Sequence, residues 1–121
     1  MTDESTYTLY RKGMELLEDG SFSAATVPLE EAAKRAPEKT SVREALGRAY
    51  FRNRQFAEAA TEFEAVVESA PVNDYAHFCL GRALSMTGDT DRALHHLALA
   101  SNLQPQRSDY RRYRDQASRA A

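Results

Sequence analysis

The chain has 121 residues, 42% hydrophobic and 28% charged, with a formal charge of −2. This composition excludes a disordered chain or a collagen-like fibre, and its 16 basic against 18 acidic residues argue against a general nucleic-acid glue. At this length one domain is expected, and size scaling buries roughly two-thirds of the unfolded surface, enough for a working core.

Other global features point to a protein of a reducing, aqueous compartment. The lone cysteine, Cys79, has no internal disulfide partner. The first residues, Met1-Thr2-Asp3-Glu4-Ser5, are acidic where a secretory signal carries positive charge before an apolar run. Thr2 excludes N-myristoylation, and no prenylation box ends the chain. Apolar runs are only a few residues long, well short of the ~20 that span a bilayer. The expectation is a cytoplasmic protein with no membrane association.

A repeat dominates the sequence. Gly13, Gly47 and Gly81 lie 34 residues apart, and Ala25, Ala59 and Ala93 keep the same spacing, as do Pro37, Pro71 and Pro105. Large apolar residues follow at Leu29, Phe63 and Leu97, and at Leu16, Tyr50 and Leu84. Five positions in phase over three copies define the unit.

In chain order, each unit predicts two helices and a turn. The first breaks at Asp19-Gly20-Ser21 and the third at Thr87-Gly88-Asp89, where Gly suits a left-handed helix end and Ser21 or Asp89 an N-cap. In the second, Val42, Ala45, Leu46, Ala49 and Tyr50 form one helical stripe, and Asn53-Arg54-Gln55 a break. Phe56, Ala59, Ala60, Phe63, Val66 and Val67 then form another stripe, ended by Pro71. A helical glycine costs ~1 kcal/mol relative to alanine, so three at one phase imply close approach of paired helices. Pro28 falls past the first turn of a predicted helix, where a kink is expected. Residues 108–120 carry Tyr110, Tyr113 and Ala117 on one stripe amid Arg111, Arg112, Arg114, Asp115 and Arg119. Such a helix, polar outside, suits the open end of a stack.

On these residues the chain resembles the tetratricopeptide repeat family over residues 6–107. The family has small residues at positions 8, 20 and 27 of its unit and proline at position 32. Here these are Gly13, Ala25, Ala32 and Pro37; Gly47, Ala59, Val66 and Pro71; Gly81, Ala93, Ala100 and Pro105. Three departures stand out. The fourth position, often aromatic, is Leu9, Arg43 and His77; Lys12 replaces an apolar residue; and Pro28 sits within a helix. The resemblance implies an all-α fold, a right-handed superhelical stack of three helix-turn-helix hairpins. The expected division is a tail at 1–5, repeats at 6–39, 40–73 and 74–107, and a capping helix at 108–121.

Catalytic chemistry finds few candidates. His95 and His96 are adjacent and diverge by ~100° on a helix, and His77 and Cys79 also face apart, so neither pair suggests a metal or nucleophile site. The glycines form no phosphate loop. Glu30, Glu31, Glu58, Glu62, Glu64 and Glu68 read as a solvated face rather than paired catalytic carboxylates. A non-enzymatic protein without cofactor or metal is expected.

The resemblance instead implies a concave groove lined by the first helix of each unit. Its family positions correspond here to Tyr7, Tyr10, Arg11, Met14 and Glu18; Ser41, Glu44, Arg48, Phe51 and Arg52; and Tyr75, Phe78, Arg82 and Met86. The last helix would add Arg111, Arg112 and Arg119. Exposed aromatics beside arginine are the composition of binding hot spots, which suits a protein or peptide partner with acidic residues and an apolar anchor. The family's chaperone-tail carboxylate clamp finds Tyr10, Met14, Ala45, Tyr75 and Cys79 at its five positions, none of them a match. An interaction adaptor is therefore the leading reading, with a self-associating structural protein as the alternative. Single-stranded nucleic-acid binding through the arginines is a weaker third, disfavoured by the overall acidity.

Overall fold

The computed structural model describes residues 5–121; the expected N-terminal tail lies outside these, apart from Ser5. The described residues form seven helices and no strand: α1 (Thr6–Glu18), α2 (Phe22–Arg35), α3 (Thr40–Arg52), α4 (Phe56–Ser69), α5 (Asp74–Thr87), α6 (Thr90–Leu103) and α7 (Ser108–Ala120). None of these helices is long and apolar enough to cross a membrane. α1 pairs with α2, α3 with α4 and α5 with α6, while α2–α3, α4–α5 and α6–α7 contacts join the hairpins into a stack.

The small residues at the repeat's eighth position explain the hairpin geometry. A Cβ on Gly13 would lie 2.3 Å from Leu29 Cγ, and one on Gly47 would lie 2.9 Å from the Phe63 ring. The large side chain of the second helix thus occupies the volume that the glycine leaves open. Ala25, Ala59 and Ala93 are fully buried, as the same close approach requires. Leu29, Phe63, Leu80, Leu97, Val66 and Tyr110 are the largest fully buried side chains.

Local signals set the ends of the elements. The Ser5 hydroxyl accepts from Thr8 N at 3.0 Å, and Asn73 Oδ1 accepts from Ala76 N at 3.0 Å, capping α1 and α5. Asp89 caps α6 by accepting from Arg92 N, but Ser21 makes no side-chain cap. Gly20 and Gly88 take φ +80° and +88°, and Arg54 occupies the same repeat position at φ +64°. α2 runs on through Pro28 to Arg35. Proline has no N–H to donate to the carbonyl of Ala24, an exposed residue that lines an open cleft between α1 and α2.

The fourth-position departures have a shared task. Arg43 Nε donates to the Pro37 carbonyl at 2.6 Å, His77 Nε2 to the Pro71 carbonyl at 2.8 Å, and Arg111 to the Pro105 carbonyl. Each side chain reaches back across the turn that its own helix follows, satisfying a carbonyl outside any helical ladder. Nineteen residues further on lies a second partner: Arg43 pairs with Glu62 at 2.9 Å, and His77 with His96 at 3.0 Å.

The expectation of a uniformly solvated glutamate face needs correction. Glu62 is mostly covered in its Arg43 pair; Glu30 accepts from Tyr50 Oη at 2.9 Å; Glu64 pairs with Arg92 at 2.9 Å. Glu62 bonds across its own hairpin, and stacking brings Glu30 and Glu64 beside the next unit, so these carboxylates join elements, while Glu30, Glu58 and Glu68 remain exposed. α7 packs against α6 and α5. Tyr110 is fully buried, its ring stacks on Phe78 at 4.6 Å, and its hydroxyl donates to Asp74 Oδ2 at 2.7 Å.

Candidate groove site

The first helices α1, α3 and α5 line a cavity of about 500 Å³. Its apolar wall comprises Met14, Leu17, Phe22, Phe51, Phe63 and Phe78. Arg48 and Arg52 enter from α3, one turn apart and therefore on one face, and Arg82 enters from α5 at the repeat position equivalent to Arg48. Tyr75, Cys79, Glu18 and Gly20 complete the lining.

Two of the three arginines lie over aromatic rings. The Arg82 guanidinium lies 5.0 Å from the Phe51 ring centre and 4.3 Å from that of Tyr113, so it spans α3, α5 and α7. Arg52 lies 4.4 Å from the Phe22 ring centre. Such stacking fixes a guanidinium plane while leaving its N–H edges available. Among the described residues, Arg48, Arg52 and Arg82 form no ion pair, whereas Arg11, Arg43, Arg92, Arg107 and Arg114 each have a carboxylate partner.

Tyr75 and Cys79 add no charge to the lining. Burial raises the Cys79 thiol to about 12 and, with a contribution from the neighbouring Cys79, raises Tyr75 to about 12. Neither supplies charge at neutral pH. With Glu18 as its only carboxylate, the lining carries three positive groups against one negative group in a protein whose total charge is −2.

The residues proposed from sequence divide into two sets. Met14, Glu18, Arg48, Phe51, Arg52, Tyr75, Phe78 and Arg82 meet in the cavity. Tyr7 and Arg11 lie on exposed α1 surface, with Arg11 stacked 5.9 Å from the Tyr7 ring centre and paired with Glu15 at 3.5 Å. Tyr10 packs against the core, half-buried Glu44 is outside the lining, and exposed Arg112 sits 5.2 Å from the Tyr113 ring centre.

Sequence reading passed over Phe22 and Tyr113 as groove residues. Both had a signal: Phe22 is in phase with Phe56, and Tyr113 lies 34 residues after Cys79, as though a fourth unit had begun.

A family model for the tetratricopeptide repeat matches residues 10–74 and 44–108. No curated protein matches the chain significantly. Among solved structures, the first tetratricopeptide repeat of Spaghetti (RPAP3), bound to an HSP90 peptide, is similar at a TM-score of 0.89 and 19% identity. That match covers 95% of this chain and 91% of the other. MamA from AMB-1 is similar at 0.86 and 24% identity, covering 95% of this chain and 63% of MamA. MamA residues 41 to the end from Desulfovibrio magneticus RS-1 gives 0.85 at 21%, covering 96% and 71%. The chain thus spans less than two-thirds of the AMB-1 protein, and these likenesses establish a common fold. With the family model spanning more than half the chain and the helix hairpins in the expected phase, the chain belongs to the tetratricopeptide repeat family.

Proposed function

We propose that this chain is a non-enzymatic adaptor whose concave groove binds a segment of a partner protein bearing acidic residues beside an apolar anchor. The observation that carries the reading is the set of cavity arginines, Arg48, Arg52 and Arg82, left without carboxylate partners beside an aromatic wall. Anionic side chains match the guanidinium edges, and an apolar side chain matches Met14, Phe51 and Phe78. The RPAP3 structure, with its HSP90 peptide, is a precedent for peptide capture by this fold. The ligand here differs in chemistry, because Tyr10, Met14, Ala45, Tyr75 and Cys79 place no cation at the clamp positions.

The test is a panel of extended peptides varying in acidic and apolar content, measured against wild type and the Arg48→Glu/Arg82→Glu chain. Binding of acidic–apolar peptides, lost in a variant that keeps its helical spectrum, supports the groove. Equal binding by both chains overturns it. Dimerisation with no peptide bound favours the self-association reading, and steeply salt-dependent capture of an oligonucleotide alone favours nucleic acid.

A further inference from the structure

We infer that the groove selects a phosphorylated side chain of its partner segment, with Arg48, Arg52 and Arg82 as the phosphate-binding residues. This rests on the groove reading above and specifies the anion. Three features lead to a dianion rather than a lone carboxylate.

The first is charge. The cavity contributes three guanidiniums and one carboxylate, Glu18, an excess of two positive charges. A phosphate monoester supplies about −1.5 to −2 at neutral pH, which matches that excess; a carboxylate neutralises half of it.

The second is donor geometry. The Arg52 guanidinium lies over the Phe22 ring and that of Arg82 over the rings of Phe51 and Tyr113, contacts that hold the cations in place without using their N–H donors. Tetrahedral phosphate offers three acceptor oxygens that can receive forks from several directions, whereas a planar carboxylate offers two.

The third is the contrast within the chain. Arg43 pairs with Glu62, Arg92 with Glu64, Arg107 with Asp109 and Arg114 with Asp115. Among the described residues Arg54, Arg111, Arg112 and Arg119 also form no ion pair, but none of them lines the cavity; Arg48, Arg52 and Arg82 are the ones that converge, in a single cavity lined by all three units and braced by α7 through Tyr113. The adjoining apolar wall of Met14, Phe51 and Phe78 would take a neighbouring apolar side chain of the same segment.

The experiment uses matched peptide libraries whose fixed central residue is phosphothreonine, threonine or glutamate, flanked by degenerate positions that include apolar residues. Fluorescence anisotropy reads binding to wild type, Arg48→Gln/Arg82→Gln and Arg48→Lys/Arg82→Lys, with thermal unfolding confirming that each variant is folded. The expected result is at least about tenfold tighter binding of the phosphothreonine set than of either other set. The glutamine variant should lose that preference, and the lysine variant, which keeps charge without the planar fork, should retain part of it. Should the glutamine variant fail to fold, the lysine variant and the wild-type preference still decide. Equal binding of the phosphorylated and glutamate sets overturns the phosphate assignment and leaves the acidic-segment groove standing. No binding by any set overturns both readings.

Discussion

Gly81 and Leu97 share one volume: a Cβ on Gly81 would fall 2.5 Å from Leu97 Cγ and 3.2 Å from the Ala93 carbonyl oxygen. The glycine therefore sets the separation of α5 and α6, and its substitution tests the packing directly. Alanine gains ~1 kcal/mol of helix propensity, but overpacking against a rigid Cγ costs about 1–3 kcal/mol, so Gly81→Ala should lower stability by up to about 2 kcal/mol. In a Leu97→Ala background the side-chain clash disappears, leaving only the tight contact with the Ala93 carbonyl, and the same substitution should cost less or become neutral. Urea unfolding of the four chains measures the coupling; additive effects would contradict the shared volume.

Arg54 holds the left-handed conformation that Gly20 and Gly88 take in the other hairpins. An L side chain there costs about 1–2 kcal/mol, and glycine returns about 0.5–1 kcal/mol of this as unfolded-chain entropy. Arg54→Gly should therefore raise stability by about 0.5–1 kcal/mol in chemical denaturation. A loss of stability would show that its stacking on Phe56, 5.4 Å away, outweighs the strain.

The His77–His96 pair predicts an acid-labile hairpin. His77 Nε2 faces the Pro71 carbonyl, which only accepts, so its Nδ1 is the acceptor for His96 Nδ1–H, 3.0 Å away. Burial first, then His77, His95 and Arg92, depress His96 to about 4 from an ordinary 6.5. Between these values the unfolded chain binds more protons than the folded one. The contribution is thus complete above pH 6.5 and lost progressively as pH falls toward 4. His96→Gln keeps an N–H donor without titrating, so its stability should fall less steeply than wild type over that window. Parallel pH profiles would contradict the assignment.

Tyr110 ties the final helix to the third unit through its hydroxyl on Asp74, and burial together with that carboxylate raises the phenol above its usual range. Tyr110→Phe keeps the ring stacked on Phe78 but leaves Asp74 without this donor. A loss of about 1–2 kcal/mol is expected, read as a lower midpoint in thermal or urea unfolding. An unchanged midpoint would mean that the hydroxyl adds nothing beyond the packed ring.

The hairpins were legible because their determinants are local and periodic. Gly13, Gly47 and Gly81 recur at 34 residues together with Leu29, Phe63 and Leu97, the side chains they admit. The fourth-position residues were visible as departures, but their task was hidden. Arg43 and His77 find partners 19 residues away, across a hairpin whose register must be known first. The groove was legible as a set of positions, eight of which, Glu18 and Phe51 included, the fold gathers in one cavity. Its extension to Tyr113 was obscured because residues 108–121 read as a capping helix rather than as a further first helix, so the family's groove positions were not carried onto them. Glu62 looked solvated because its own helix is amphipathic, yet the adjacent α3 covers it.

The proposed partner segment binds in the cavity around Arg48, Arg52 and Arg82, and chemical-shift mapping of the isotope-labelled chain, titrated with the tightest peptide from the acidic–apolar panel, tests this most directly. Saturable shifts concentrated at Arg48, Phe51, Phe78 and Arg82, including their side-chain signals, are expected. Shifts concentrated instead at Leu9, Val27 and Pro28, in the separate cleft between α1 and α2, would contradict the groove assignment.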